Sequence, residues 1–199
     1  MVENEGLPVT SGKTDRRVKY SKMVIKESFV QLLKEKNISK ITIKELCELA
    51  DVNRATFYAH YTDQYDLLEQ IEQELMSGIN QYIISDLFHE STKTPVSMLV
   101  KILDFIKDNA ELFHLFLNVN NDFQFEQQLI ALISEQHFFP FFEQNKTSIE
   151  DSEYIFLFLA NGCVGVIQRW LKDGTKKSSQ EVAELIIQLS LYGNSSFDR

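Results

Sequence analysis

Residues 42–68 read TIKELCELADVNRATFYAHYTDQYDLL, and two short helical patterns separated by a break are legible in them. Thr42, with Glu45 three residues on, has the form of a capping box. Ile43, Leu46, Cys47 and Ala50 then fall on one side of a helix that starts at Thr42 or Ile43. The pattern breaks at Asp51, a residue type that tolerates a left-handed backbone, and Val52 is again apolar. Asn53 offers a cap for a second helix over Arg54, Ala55, Thr56, Phe57 and Tyr58. Thr62-Asp63 offers another, after which Leu67, Leu68, Ile71 and Leu75 begin a long helix that runs from Asp63 to about Phe88. A helix, a tight turn and a second helix opening with small and polar side chains is the geometry that places the second helix in the DNA major groove while the first crosses the backbone.

If Leu46, Ala50, Val52 and Phe57 face the core, Lys44, Asn53, Arg54, Thr56, Tyr58 and His60 are left to face DNA. Those side chains suit the task. Arg binds guanine O6/N7 in bidentate fashion and Asn pairs with adenine, so Arg54 and Asn53 are the expected base readers. Thr42, Thr56, Tyr58 and His60 are expected to position the backbone, with Lys44 as a phosphate anchor.

Upstream, Val24, Ile25, Phe29, Leu32 and Leu33 recur at helical spacing from Lys19 onward, with Lys19, Lys22, Lys26 and Lys34 between them. This first helix is expected to stop at Asn37, a residue tolerant of φ > 0 that follows a lysine-rich last turn. Residues 1–13, with Gly6, Pro8 and Gly12 among polar residues, read as a flexible tail. The domains expected are therefore the tail at 1–13, a three-helix DNA-binding head at 14–66 and a helical body at 67–199.

The formal charge of −9 speaks against nucleic acid only if it is spread evenly, and it is not. Residues 13–60 carry eleven Lys/Arg against six Asp/Glu, whereas residues 61–199 carry nine against twenty-one. A basic head sits on an acidic body.

In the body, Pro95, Gly162, Gly165 and Gly174 are the main punctuators, and β-branched alternation never persists long enough for a sheet. Helices are expected near 96–108, 110–118, 123–143, 151–172 and 179–192, which makes the fold class all-α. Fifteen phenylalanines fit an aromatic core, part of which could line a cavity. Candidates for an effector surface are Phe105, Phe113, Phe116, Phe138, Phe142 and Tyr154, with His114 and His137 as polar contacts.

The 42–68 segment resembles the DNA-binding segment of the TetR family. The family's run has a Thr opening the second helix, an Ala-Gly-Val-like turn, a Thr followed by an aromatic pair, a His-aromatic, and a Lys before Leu-Leu. Here these are Thr42, Ala50-Asp51-Val52, Thr56-Phe57-Tyr58, His60-Tyr61, Gln64 and Leu67-Leu68. Asp51 replaces the usual Gly. Gln64 replaces the usual Lys, which keeps the DNA-facing position but removes one positive charge and implies a shallower salt dependence than in relatives. The resemblance spans residues 18–75. A weaker one covers residues 161–186, NGCVGVIQRWLKDGTKKSSQEVAELI, and points to the subgroup that contains the dihydroxyacetone-kinase operon activator.

The resemblance implies a homodimer on a two-fold-related operator, its last two long helices pairing with their copies across the axis, with repression as the family default. The residues themselves allow such an interface: Gly162 and Gly165 permit close helix approach, and Val166, Trp170, Leu185, Ile186 and Leu189 supply apolar area.

No HxxxH, HExxH, GxSxG or P-loop spacing occurs, and Asp104, Asp108 and Glu111 read as a solvated edge. No enzymatic activity, catalytic residue, metal site or cofactor is therefore expected. The two cysteines, Cys47 and Cys163, offer neither a disulfide framework nor a CxxC site. With no secretory leader and no apolar run near 20 residues, the expectation is a cytoplasmic protein without a membrane span. Partners expected are duplex DNA, a second copy and a small-molecule effector. The competing reading is a body that answers to a protein partner or only dimerises.

Overall fold

The computed structural model describes residues 11–88, 95–119, 123–133 and 149–194. All regular elements among them are helical, and the chain divides into two compact units, Met1–Ile71 and Glu72–Arg199. The division falls inside a helix rather than at residue 66, because the buried Leu67 and Ile71 belong with the head unit.

In the first unit, α1 (Ser11–Glu35) buries Ile25, Phe29, Val30, Leu32 and Leu33. It begins well before Lys19, so the expected tail is helical from Ser11, and residues 1–10 lie outside the described residues. The stretch between Lys13 and Lys22 explains the extension. It is rich in Lys and Arg, which lose little rotamer freedom in a helix, and holds no proline. Asn37 does not close α1 in a left-handed conformation. Its φ is −61° and ψ 144°, and its side chain accepts from Ser39 N, capping a 3-10 turn at Ile38–Lys40. α2 (Ile43–Leu49) and α3 (Arg54–Tyr58) follow, joined by a turn in which Asp51 takes φ 50° and Val52 N donates to Cys47 O at 3.0 Å. The left-handed residue is thus an Asp, as its chemistry permits.

α4 (Gln64–Phe88) supplies Leu67 and Ile71 to the first unit, while Leu75, Ile79 and Ile83 continue its buried stripe within the second. The second unit adds α5 (Pro95–Asp108), α6 (Ala110–His114) running into a π-turn at Leu115–Val119, α7 (Phe123–Ile133), α8 (Ile149–Lys172) and α9 (Ser179–Asn194). The expected helix at 123–143 is described only as far as Ile133. α9 packs chiefly against α5, and α8 lies against α6, α7 and the π-turn. There Gln168 Nε2 donates to Leu117 O at 3.2 Å, satisfying a carbonyl of that turn.

The α8–α9 connection is locally determined. Gly174 takes φ +71°, Thr175 N donates to Trp170 O, and Ser178 and Glu181 form a reciprocal capping box before α9. Trp170 is 4% exposed and its indole N–H donates to Lys177 O at 2.9 Å, tying the turn to the core.

The apolar stretch Glu153–Lys172 of α8 is, by length and composition alone, long enough to cross a bilayer, which the sequence reading did not foresee. Of that stretch 39% is buried in the chain's own fold. Its inner face carries Leu159, Ala160, Val164, Ile167 and Trp170, all buried.

Rings fill the centre of the second unit. Phe105 meets Tyr82 (centroids 5.8 Å apart) and Phe113 (6.2 Å), and Phe125 meets both Phe113 (5.9 Å) and Phe116 (5.1 Å). The Phe105 ring rests on Gly78, where an added Cβ would lie 2.1 Å from Cζ. With the ring held by Tyr82 and Phe113, Gly78→Ala is expected to destabilise by about 1–3 kcal/mol through overpacking. Thermal unfolding of Gly78→Ala alone and combined with Phe105→Leu checks this. The second change is expected to recover most of the loss, and additive losses would contradict the contact.

Candidate nucleic-acid interface

α3 is held by one apolar anchor and one polar cap. Phe57 is fully buried and meets Tyr58 edge-on at 5.5 Å and Tyr61 at 5.5 Å. Asn53 Oδ1 accepts from Thr56 N at 2.8 Å and from Thr56 Oγ1 at 3.1 Å. This sets the helix's first turn and orients what remains outside: Arg54 and Tyr58 are exposed, the latter at 56%, with Thr56 and His60 half-buried beside them. Reading adenine requires both the oxygen and the nitrogen of an Asn amide. The cap occupies that oxygen, so Asn53 sets the first turn of α3, and Arg54 beside it stands exposed.

Thr42 caps α2, its Oγ1 accepting from Glu45 N at 3.2 Å. The returning half of the expected capping box is replaced. Glu45 Oε1 pairs instead with Lys36 Nζ, a part-buried link from the end of α1 to α2. Lys44 is exposed and lies 3.9 Å from Glu48 one turn on, a contact too open and too long to hold it. Gln64 is half-buried at the first residue of α4.

The junction between α3 and α4 is a second capping device. Asp63 Oδ1 accepts from Tyr65 N and Asp66 N at 2.8 and 2.9 Å, and Asp66 Oδ2 accepts from Thr62 N at 2.7 Å. That backbone N–H, and after it the Gln70 side chain, hold the Asp66 carboxyl below its ordinary range. Sequence reasoning found Asp63 but missed Asp66 and the Lys36–Glu45 link. The first was readable from the Asp63-x-x-Asp66 spacing; the second joins separate helices and has no local signal. Burial pushes the Cys47 thiol up, opposed by the nearby Arg54 charge, which fits a packing role.

Because Asn53 acts here as a cap, Asn53→Ala is expected to lower stability by roughly 0.5–2 kcal/mol, whereas Asn53→Ser, another capping residue, is expected to retain most of it. Chemical denaturation of the three proteins measures this. Equal losses for Ala and Ser would remove the cap from the account.

In the second unit, the candidate dimer residues separate into two sets. Gly162 and Gly165 are exposed, with nothing among the described residues within 4 Å of an added Cβ, and Leu185 and Leu189 are 41% and 56% exposed. Val166 is half-buried. Trp170 and Ile186, however, are buried in the chain's own fold and have little surface to offer a partner. Tyr154 (70%), expected at the effector surface, and Leu157 (52%) and Phe158 (78%), which were not candidates, join the exposed set on α8.

Tyr154 is a surface residue, whereas the effector candidates Phe113 and Phe116 are fully buried. Phe105 and His114 are half-buried; His137, Phe138 and Phe142 lie outside the described residues. Asp104, Asp108 and Glu111 are exposed. Among the described residues no three His, Cys, Asp or Glu are grouped to hold a metal ion.

A short exposed helix set on a three-helix head defines a helix-turn-helix protein. Residues 29–71 match the family model for bacterial regulatory proteins of the tetR family, and residues 93–192 match that for a transcriptional regulator C-terminal region. The chain belongs to the TetR family. It is 25% identical over 178 residues to the uncharacterized HTH-type transcriptional regulator YxbF of Bacillus subtilis (strain 168), an alignment that covers 84% of this chain and 45% of that protein. The chain thus spans about half the length of that curated relative.

Solved structures share the fold. A TetR transcriptional regulator from Streptococcus agalactiae 2603V superposes with a TM-score of 0.64 at 22% identity, covering 89% of this chain and 97% of its own. The dihydroxyacetone kinase operon activator DhaS gives 0.61 at 17%, covering 90% and 98%.

Proposed function

We propose that this protein is a sequence-specific transcriptional regulator that acts in the cytoplasm and binds a palindromic operator as a homodimer, with α3 in the major groove. The observation that carries the reading is the capped, Phe57-anchored α3 presenting Arg54 and Tyr58 to solvent within the basic stretch 13–60 of an otherwise acidic chain. Arg54 reads a base edge; Tyr58, Thr56, His60, Lys44, Thr42 and Gln64 meet the backbone, and Asn53 sets the angle of the helix. The second copy docks on the outward strip of Tyr154, Leu157, Phe158, Gly162, Gly165, Leu185 and Leu189, an apolar surface of the kind that marks an interface. Selecting bound duplexes from a random pool tests the function. An enriched motif with dyad symmetry is expected, its half-sites about one helical turn or a multiple apart. A pool that shows no enrichment at low salt would refute the reading.

Control of the second unit by a small molecule is part of the proposal, with Phe105 and His114, both half-buried, as the described contacts. The continuous ring contacts from Tyr82 through Phe105, Phe113 and Phe125 to Phe116 favour a second reading, in which this region is solid core and the body answers to a protein partner or only dimerises. A metabolite screen by thermal shift, followed by operator affinity with each hit, separates them. A hit that raises the melting temperature and changes operator affinity supports the effector; none doing both supports the second reading.

A further inference from the structure

We infer that the first helix, and not only the helix-turn-helix, is part of the DNA-contacting surface: Arg16, Lys19 and Lys22 form a phosphate-binding stripe that continues the backbone contacts of α3. The inference rests on the DNA-binding role proposed above.

Three observations carry it. α1 is helical from Ser11, so Arg16, Lys19 and Lys22, spaced i, i+3, i+6, follow one another up one side of a formed helix. All three are exposed, and the helix has no acidic residue in its first turn. The third observation fixes where the stripe leads. Lys22 Nζ lies 5.9 Å from the centroid of the Tyr61 ring, and that ring meets His60 at 6.2 Å and Phe57 at 5.5 Å. The stripe therefore ends against the residues that close α3, and a phosphate reached by His60 is within the neighbourhood of Lys22. Residues 13–60 carry a net positive charge on a chain of net −9, so the occupant with complementary charge is a polyanion, and the duplex held by α3 supplies it.

Contacts of this kind carry no sequence information, and this sets the stripe apart from Arg54.

The test uses the full chain with Arg16→Gln, Lys19→Gln and Lys22→Gln combined, and a charge-keeping control with Arg16→Lys, Lys19→Arg and Lys22→Arg. Affinity for the selected operator and for a scrambled duplex is measured across a salt series, with thermal melting to confirm folding. The neutral variant is expected to lose affinity for both duplexes together and to show a salt slope, in log affinity against log salt, smaller by about 2 to 3. The charge-keeping control is expected to match wild type. An unchanged slope in a folded neutral variant overturns the inference, as does a loss confined to the selected operator or an equal loss in the control. If the neutral variant fails to fold, the single Arg16→Gln change decides, with a slope smaller by about 1 expected and no change overturning the stripe. Wild-type protein that binds no duplex would sink the DNA-binding reading itself, a different outcome from wild-type binding with an unaltered slope in the variants.

Discussion

Replacing Arg54 by alanine is expected to weaken operator binding by roughly 1 to 3 kcal/mol, about 5- to 150-fold, and to relax the preference at one base pair while leaving the rest of the motif intact. Arg54 is the first residue of α3, exposed, and next to a cap that fixes the backbone it stands on. A bidentate Arg–guanine contact depends on that fixed frame, because a guanidinium fork gains its selectivity from direction as well as charge. The comparison with Tyr58 sharpens the result. Tyr58→Phe removes one hydroxyl at the surface and keeps the ring that lies edge-on to Phe57, so it is expected to weaken all duplexes alike. Repeating the random-pool selection with each variant gives the answer. An Arg54→Ala motif identical to that of wild type would refute the assignment.

Introducing a carboxylate at Gly165 is expected to leave a folded monomer. Among the described residues nothing outside its own helix lies within 4 Å of a Cβ at that position, so Gly165→Glu is expected to be accommodated in the protomer, and a helical glycine replaced by a helix former does not lose local stability. The exposed Tyr154, Leu157 and Phe158 lie on the same helix, in the docking strip proposed above. There the new charge is buried without a partner, and a two-fold axis places a second copy on the facing helix. An uncompensated buried charge costs on the order of 3 kcal/mol or more, enough to raise the dimer dissociation constant by more than about a hundredfold. Light scattering at micromolar concentration, with circular dichroism to show that the helices remain, reads this directly. A Gly165→Glu protein that stays dimeric would move the interface off this face.

What was legible in the sequence follows from the range of the forces involved. The bounds of α3, the cap at Asn53 and the left-handed Asp51 were readable because each is decided within four residues. The family resemblance read from the same stretch is met by the matched family models. Asn37 was misread because one side chain serves two local solutions, a left-handed helix stop and an N-cap, and the neighbouring Ser39 N–H settled it for the second. Glu45 was misread because Lys36, on another helix, competes for its carboxylate.

The dimer face shows a deeper limit. Helical periodicity finds Trp170, Ile186, Leu185 and Leu189 apolar, but it cannot say which are buried inside the protomer, as Trp170 and Ile186 are, and which remain outside for another chain. Tyr154, expected at the effector surface because of its aromatic surroundings in sequence, is 70% exposed, which periodicity alone did not tell apart from the buried Phe113 and Phe116.

The central claim is that two copies of this chain read two half-sites through α3. It is tested most directly by the mass of the complex formed on duplexes that carry one or both half-sites of the selected motif. Light scattering is expected to show a dimer in free solution and two chains on the duplex with both half-sites, with binding far weaker when one half-site is scrambled. A single chain per duplex, or equal affinity for the intact and the half-scrambled operator, would contradict the account.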